Sequence, residues 1–191
     1  MSSVDESLAK LENPKIFSKL DAKSGFWQIP LSKEFRLLMT FVTPFGRFCV
    51  NRLPFGICST SEKFQRTMSE ILAGVEGVIC HMDDVLIHAS DQATHDSILM
   101  QILQKLADTG LTLNEKCEFS KDVIKFFGHI IDGNGILPDP EQIAAISKYP
   151  PPTTITELQR FLGRTSQLAK FIPNLAQINA PLRQLLRKDQ S

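Results

Sequence analysis

Two neighbouring carboxylates, Asp83 and Asp84, stand between the apolar runs Val78-Ile79-Cys80-His81-Met82 and Val85-Leu86-Ile87-His88. The pattern predicts a tight β-hairpin with both acids at its bend. Within a strand, neighbouring side chains point to opposite faces. At a turn that alternation breaks, so adjacent carboxylates can approach one site. Their mutual repulsion must then be relieved by a cation or a proton. A third acid, Asp21, ends another run that reads as a strand, Ile16-Phe17-Ser18-Lys19-Leu20-Asp21. If the two elements are neighbours in one sheet, three oxygen donors converge. Mg²⁺ takes such ligands and keeps positions open for phosphate oxygens. An Asp-Asp bend also suits an ordinary solvated turn, and the residues alone leave both readings open.

The rest of the chain supplies elements to position these acids. Ser3-Val4-Asp5-Glu6 is a capping-box pattern and predicts a short helix through about Leu11. β-formers dominate from Phe35 to Val50, broken by Pro44-Phe45-Gly46, which predicts a hairpin of residues 37–42 against 47–52. Ser59-Thr60-Ser61-Glu62 is a second capping box, opening a helix with Phe64, Met68, Ile71 and Leu72 on one face and a stop near Gly74. Asp91 caps a third helix, carrying Ile98, Leu99, Ile102, Leu103 and Leu106 and ending at Gly110. Short strands are expected near 112–113 and 124–131, with Gly133-Asn134-Gly135 as a turn. Tyr149-Pro150-Pro151-Pro152 is a stiff linker. Beyond it, the capping box Thr154-Ile155-Thr156-Glu157 begins a helical tail through Leu158, Phe161, Leu162 and Leu168, broken at Pro173.

Composition narrows the class. With 191 residues, 42% hydrophobic and 22% charged, the chain can bury a sizeable core. No apolar run is long enough to span a bilayer, and the N-terminus lacks the basic and apolar regions of a secretory signal. An intracellular, cytoplasmic protein without a membrane partner is expected. Cys49, Cys58, Cys80 and Cys117 form no C-x-x-C pair, which argues against structural zinc and for reduced, mostly buried thiols. The net charge is zero but uneven: 15 basic against 19 acidic residues up to Pro152, and 6 against 2 beyond it. An acidic body that holds cations and a basic tail that meets a polyanion would show this balance, and so would chance.

Five motifs in order, and the segments that follow them, resemble the reverse transcriptases of gypsy-type LTR retrotransposons. Phe17-Ser18-Lys19-Leu20-Asp21-Ala22-Lys23-Ser24-Gly25-Phe26-Trp27-Gln28-Ile29 resembles their first catalytic motif. Arg52-Leu53-Pro54-Phe55-Gly56-Ile57 with Phe64-Gln65 resembles the second. His81-Met82-Asp83-Asp84 resembles the aromatic-x-Asp-Asp box, where retroviral enzymes usually carry Tyr in place of His81. Gly110 to Cys117 resembles the next motif, and Phe126-Phe127-Gly128-His129 the primer-grip hairpin. Glu157 to Gly163, Phe171 to Asn174 and Pro181 to Lys188 resemble the start of the thumb. The likeness runs from about Val4 to Lys188, and it is the ordered set that makes it specific.

The resemblance implies an α+β polymerase fold: an antiparallel palm sheet with helices on one face, a partial fingers hairpin and a short helical thumb. It implies palm at 1–28 and 59–135, fingers at 29–58 and thumb or connection at 136–191. It also implies RNA-directed DNA synthesis from dNTPs on a primed RNA or DNA template. Asp21, Asp83 and Asp84 would hold two Mg²⁺ ions, with Mn²⁺ as a substitute. Phe26 would stack under the incoming sugar and exclude a 2′-hydroxyl, and Phe55 and Gly56 would contact nucleotide and template. Lys116 would donate a proton to pyrophosphate. His81, Met82, Phe127, Gly128 and His129 would position the primer. The family's earlier fingers segment has no counterpart ahead of Asp21, so the chain reads as a fragment of a polyprotein with ribonuclease H and integrase domains downstream. A catalytically weak nucleic-acid-binding remnant is the alternative.

Overall fold

The computed structural model describes Glu6, Leu8, Leu11 and residues 14–186, the Cys58 side chain excepted. The expected N-terminal helix falls mostly outside these residues. In chain order the elements are β1 (Ile16–Asp21), α1 (Gly25–Gln28), α2 (Lys33–Leu38), β2 (Thr40–Thr43), β3 (Gly46–Cys49), α3 (Cys58–Ile71), β4 (Val78–His81) and β5 (Asp84–Ala89). Then follow α4 (Gln92–Asp108), β6 (Glu118–Lys121), β7 (Ile124–Phe126), β8 (His129–Asp132), β9 (Gly135–Pro138), α5 (Pro140–Ser147), α6 (Ile155–Gln167), α7 (Leu175–Ile178) and α8 (Ala180–Gln184). The main sheet has the order β4-β5-β1-β6, β2 pairs with β3, and β7-β8-β9 form a third sheet. All pairings are antiparallel, as the expected α+β class requires.

The central strands β1 and β5 bury apolar side chains on both faces, because one face is covered and the other is covered in part. One face sets Leu20, Ala22, Val85 and Ile87 against Phe64, Met68 and Leu72 of the α3 segment and Ile102 and Leu106 of α4. The other sets Phe17, Ile79 and Leu86 against Ile124, Phe126 and Ile131 of the third sheet. Helices therefore cover one face, as expected, and a second sheet covers part of the other. At 25 cal/mol per Å², each large side chain in these clusters contributes about 1.5–3 kcal/mol of transfer energy.

A buried polar clamp joins α4 to this sheet. Ser18 Oγ lies 2.9 Å from His95 Nε2, and both residues are fully buried. Between the Phe17–Lys121 and Lys19–Glu118 pairs the β1–β6 register shifts. At this bulge Ser120 takes φ 48°, and its N–H donates to Ser18 Oγ at 3.0 Å. His95 Nδ1 lies 3.1 Å from Asp96 Oδ1. The Ser-His-Asp order resembles a nucleophilic triad, but no substrate can reach a serine with no exposed surface. Its work is structural. Ser18→Ala orphans two bonded groups, one of them on a buried ring, and should cost about 1–3 kcal/mol. Urea midpoints of the two proteins measure this.

Several boundaries differ from the sequence reading. Residues 33–38 are helical where the hairpin was expected to begin, because Ser32 caps the Phe35 N–H and Glu34 sits in the first turn. The hairpin is shorter, Thr40–Thr43 against Gly46–Cys49. Helix α3 starts at Cys58 behind Ile57, so the Ser59 capping box falls inside the first turn and is not used. The Thr154 box forms as expected, with Thr154 and Glu157 exchanging side-chain and backbone bonds. The stretch 124–131 is two strands, split by a tight turn at Phe127-Gly128. Residues 112–113 contribute only one bridge, Leu113 to Ala22. Strand β6 and helix α5, capped by Asp139, carry too weak a periodicity to be anticipated. The tail leaves regular helix at Gln167, six residues before Pro173. Of the cysteines with described side chains, Cys49 is exposed and Cys80 and Cys117 are half-buried.

Candidate active site

Strand register sets two of the three acids, Asp21 and Asp84, opposite one another, and the third, Asp83, precedes Asp84 in the hairpin turn. Asp21 pairs with Asp84 across β1 and β5, and Asp84 pairs with His81 across β5 and β4. Directly opposed residues stand about 4.5–5.5 Å apart at Cα and share a face. His81, Asp84 and Asp21 thus form a row across three strands. Only Met82 and Asp83 form the loop, with Met82 at φ 55°. The structure refines the expected bend: Asp83 is in the turn, whereas Asp84 is the first residue of β5. The Asp83 carbonyl accepts the Ala22 N–H at 3.0 Å, which stitches the turn to the residue after Asp21. Asp83 is exposed, and Asp21 and Asp84 are half-buried.

Burial raises the Asp84 carboxyl above its ordinary range, the Lys19 ammonium opposes this, and Asp83 and Asp21 add to the rise. Lys19 Nζ lies 3.3 Å from Asp84 Oδ1. Burial, then the charges of Asp84 and Asp83, push the Cys80 thiol up to about 12, so it is no nucleophile at neutral pH. Among the described residues no three His, Cys, Asp or Glu side chains already form a metal cage. The backbone instead places Asp21 opposite Asp84 at the end of the sheet, with Asp83 in the adjoining turn.

Other side chains fix this arrangement from behind. Gln65 on α3 donates to the Cys80 carbonyl at 3.0 Å and accepts the Met82 N–H at 2.6 Å. It grips the hairpin on both sides of His81 and offsets the cost of the positive φ at Met82. Gln65→Leu keeps the size and loses both bonds. For the primer-extending activity that the resemblance implies, about a tenfold fall in turnover with little change in nucleotide KM is expected from steady-state kinetics, because the turn then holds Asp83 less firmly. The Asp21 backbone is held by the 114–117 loop: its carbonyl accepts the Asn114 N–H at 2.8 Å, and its N–H points to Cys117 Sγ at 3.4 Å. Lys116, exposed, lies on that loop.

The expected nucleotide contacts form an aromatic group. The Phe26 ring centroid lies 4.8 Å from those of both Phe55 and Phe64. Phe55 is exposed, and Gly56 has φ 85°, so glycine is needed there for backbone conformation, with open space where a Cβ would stand. Gln28 reaches across to the Thr112 backbone in both directions, at 3.0 and 2.7 Å, tying α1 to the segment before the 114–117 loop.

The expected primer contacts divide. Phe127 meets the His81 ring edge-on at 4.8 Å, so the β7–β8 turn touches the β4–β5 hairpin. Phe127 and Gly128 both have positive φ, as a type I′ turn requires, and a Cβ on Gly128 would stand 2.6 Å from Gln142 Nε2. His129 instead meets Phe171 (5.8 Å) and Lys170 Nζ (3.1 Å). The sequence reading did not single out Lys19 or assign a task to Gln65. Alternation would have found Lys19, which lies two residues before Asp21 and so on its face. Gln65 had no comparable signal, since its partners are backbone atoms.

The family model of reverse transcriptase (RNA-dependent DNA polymerase) matches residues 1–131. The chain belongs to the reverse transcriptase family. Among its relatives are Pol polyproteins of LTR retrotransposons. It is 38% identical over 187 residues to the retrovirus-related Pol polyprotein from transposon opus of Drosophila melanogaster, covering 96% of this chain and 19% of that protein. It is 36% identical over 189 residues to the transposon Tf2-3 polyprotein of Schizosaccharomyces pombe, covering 97% and 14%. The chain thus spans about a fifth or less of these relatives' length. Its fold matches the foamy viral protease-reverse transcriptase solved in complex with double-stranded DNA at a TM-score of 0.92 and 24% identity, covering all of this chain and 34% of that one. The same viral protein in complex with an RNA/DNA hybrid gives 0.88, again at 24% identity, with 26% of it covered.

Reverse transcriptases use divalent metal ions, and the donor set here suits them. Three carboxylates at a strand end and an adjacent turn offer oxygen ligands only, and the open surface leaves room for phosphate and water. No helix among the described residues is long and apolar enough to cross a membrane.

Proposed function

We propose that this reverse transcriptase chain is the polymerase core of a gypsy-type LTR retrotransposon Pol polyprotein, extending a primer 3′-hydroxyl with dNTPs on an RNA or DNA template. The observation that carries this reading is the register match of Asp21 with Asp84, with Asp83 bonded through its carbonyl to Ala22. Asp21 and Asp83 would hold two Mg²⁺ ions, with Asp84 assisting, and Mn²⁺ could replace them. When bound, such ions activate the primer hydroxyl and neutralise charge on the leaving pyrophosphate.

The chain's own residues orient the substrates. Phe26, backed by Phe64, would stack under the incoming sugar and exclude a 2′-hydroxyl, and Phe55 and Gly56 line the same approach. Lys116 supplies a proton to the pyrophosphate oxygen. His81 and Met82 meet the primer end from one side, Phe127 and Gly128 from the other, and His129 links this turn to the helical tail. In domain terms, residues 1–28 and 59–135 serve as palm, 29–58 as fingers and 136–191 as the start of a thumb. Ribonuclease H and integrase domains would follow in the parent polyprotein. The foamy viral complexes with DNA and hybrid support a primed duplex as the partner.

The test is primer extension on poly-rA/oligo-dT, with the chain alone and within its parent polyprotein. Metal-dependent extension in the parent context is expected. Salt-sensitive binding with no extension in either form, with Mg²⁺ or Mn²⁺, would identify a nucleic-acid-binding remnant instead.

A further inference from the structure

Strand β1 presents Phe17, Lys19 and Asp21 on one face, and Lys19 stands between the apolar part of that face and the acids. We propose that Lys19 is the resident counter-ion of Asp84, holding that carboxylate in an ion pair and out of the metal's ligand set while Asp21 and Asp83 supply the ligand oxygens. This deepens the metal site proposed above and rests on it.

The geometry makes the case. Lys19 sits opposite Leu86, and its ammonium reaches along the sheet to Asp84 Oδ1, 3.3 Å away. The two side chains are only 23% and 25% exposed, so neither charge is fully hydrated and each is better off with the other than alone. Asp84 lies directly across from Asp21, where two bare carboxylates would repel. Lys19 relieves that repulsion before any divalent ion arrives. Among the described residues no ion pair engages Asp21 or Asp83. Asp83 is exposed in the turn, with its oxygens available. A site of three acids and one lysine carries two net negative charges in place of three. That moderates metal affinity and divides the acids into two ligands and one paired charge.

The test measures Mn²⁺ binding to the full 191-residue chain by electron paramagnetic resonance, without nucleotide. In Lys19→Met the Asp84 carboxylate is released, and Mn²⁺ should bind about three- to tenfold more tightly, the scale of one nearby unit charge at a part-exposed site. The double variant Lys19→Met, Asp84→Asn removes the pair with no change in net charge, and replacing a partly buried ion pair by neutral groups is compatible with folding. Its Mn²⁺ affinity should stay within about threefold of the unchanged chain, whereas Asp83→Asn should weaken binding more than about tenfold. If the double variant loses as much affinity as Asp83→Asn, Asp84 is itself a full ligand and the proposal is overturned. It is equally overturned if Lys19→Met leaves affinity unchanged. Failure of the unchanged chain to bind Mn²⁺ would overturn the metal site and this inference together. Normal binding with an indifferent Lys19 removes the inference alone.

Discussion

Asp83→Asn should reduce primer extension by at least about 10²–10³-fold, the scale set by losing one preorganised electrostatic group at a reacting centre. The carboxylate is exposed at the tip of a two-residue loop, so its replacement disturbs no packing. Asparagine keeps the shape and suits a turn, and the backbone bond from Ala22 to the residue 83 carbonyl is unaffected by the side chain. The melting temperature should therefore stay within about 2 °C, because surface changes of this kind shift stability by no more than about 0.5 kcal/mol. The decisive comparison is extension rate against thermal stability on the same preparations. A large loss of rate with intact stability places Asp83 in the chemistry. Extension that survives the substitution removes the site assignment, since no other exposed carboxylate lies in the loop between His81 and Asp84.

The core of this site was legible because the relevant physics is local. A strand that ends on an acid and a hairpin with acids at its bend are statements about alternation and turn residues, and β1, β4 and β5 appear where that pattern put them. That Asp21 faces Asp84 is not local. It depends on β1 and β5 pairing in a single register, set by Phe17, Leu20, Val85, Leu86 and Ile87 all being buried at once. The resemblance to gypsy-type enzymes bridged that gap in the sequence reading. What stayed hidden were contacts between side chains and distant backbone. Gln65 to Met82, Cys117 to Asp21 and Ser18 to Ser120 have no periodicity, because each partner is a peptide group that every residue possesses. The helix at residues 33–38 was missed for another reason. Phe35 has a side chain suited to strands, and the Ser32 cap, its first-turn acid and the helix-favouring Leu37 and Leu38 outweighed it.

Phe64→Ala carries the largest expected loss of stability, about 3–5 kcal/mol. For a chain of this length that corresponds to a fall in melting temperature of roughly 10 °C. Phe64 has no exposed surface and lies at the junction of α1, α3 and the main sheet. The structure closes tightly around it: a Cβ built on Gly25 would stand 2.6 Å from Phe64 Cζ, so glycine at 25 lets α1 rest directly on the ring. Removing the ring leaves a cavity that a strand and two helices, fixed by their own hydrogen bonds, cannot collapse to fill. It also removes the platform under Phe26, whose ring is inclined by 32° to that of Phe64. The two effects separate in a double-mutant cycle. Phe26→Ala should cost about 0.5–1.5 kcal/mol less in the Phe64→Ala background than in the unchanged chain, the coupling typical of an aromatic pair. If the costs simply add, Phe64 supports the core without supporting Phe26. Nucleotide selection by Phe26 would then rest on Phe55, the other ring within 4.8 Å.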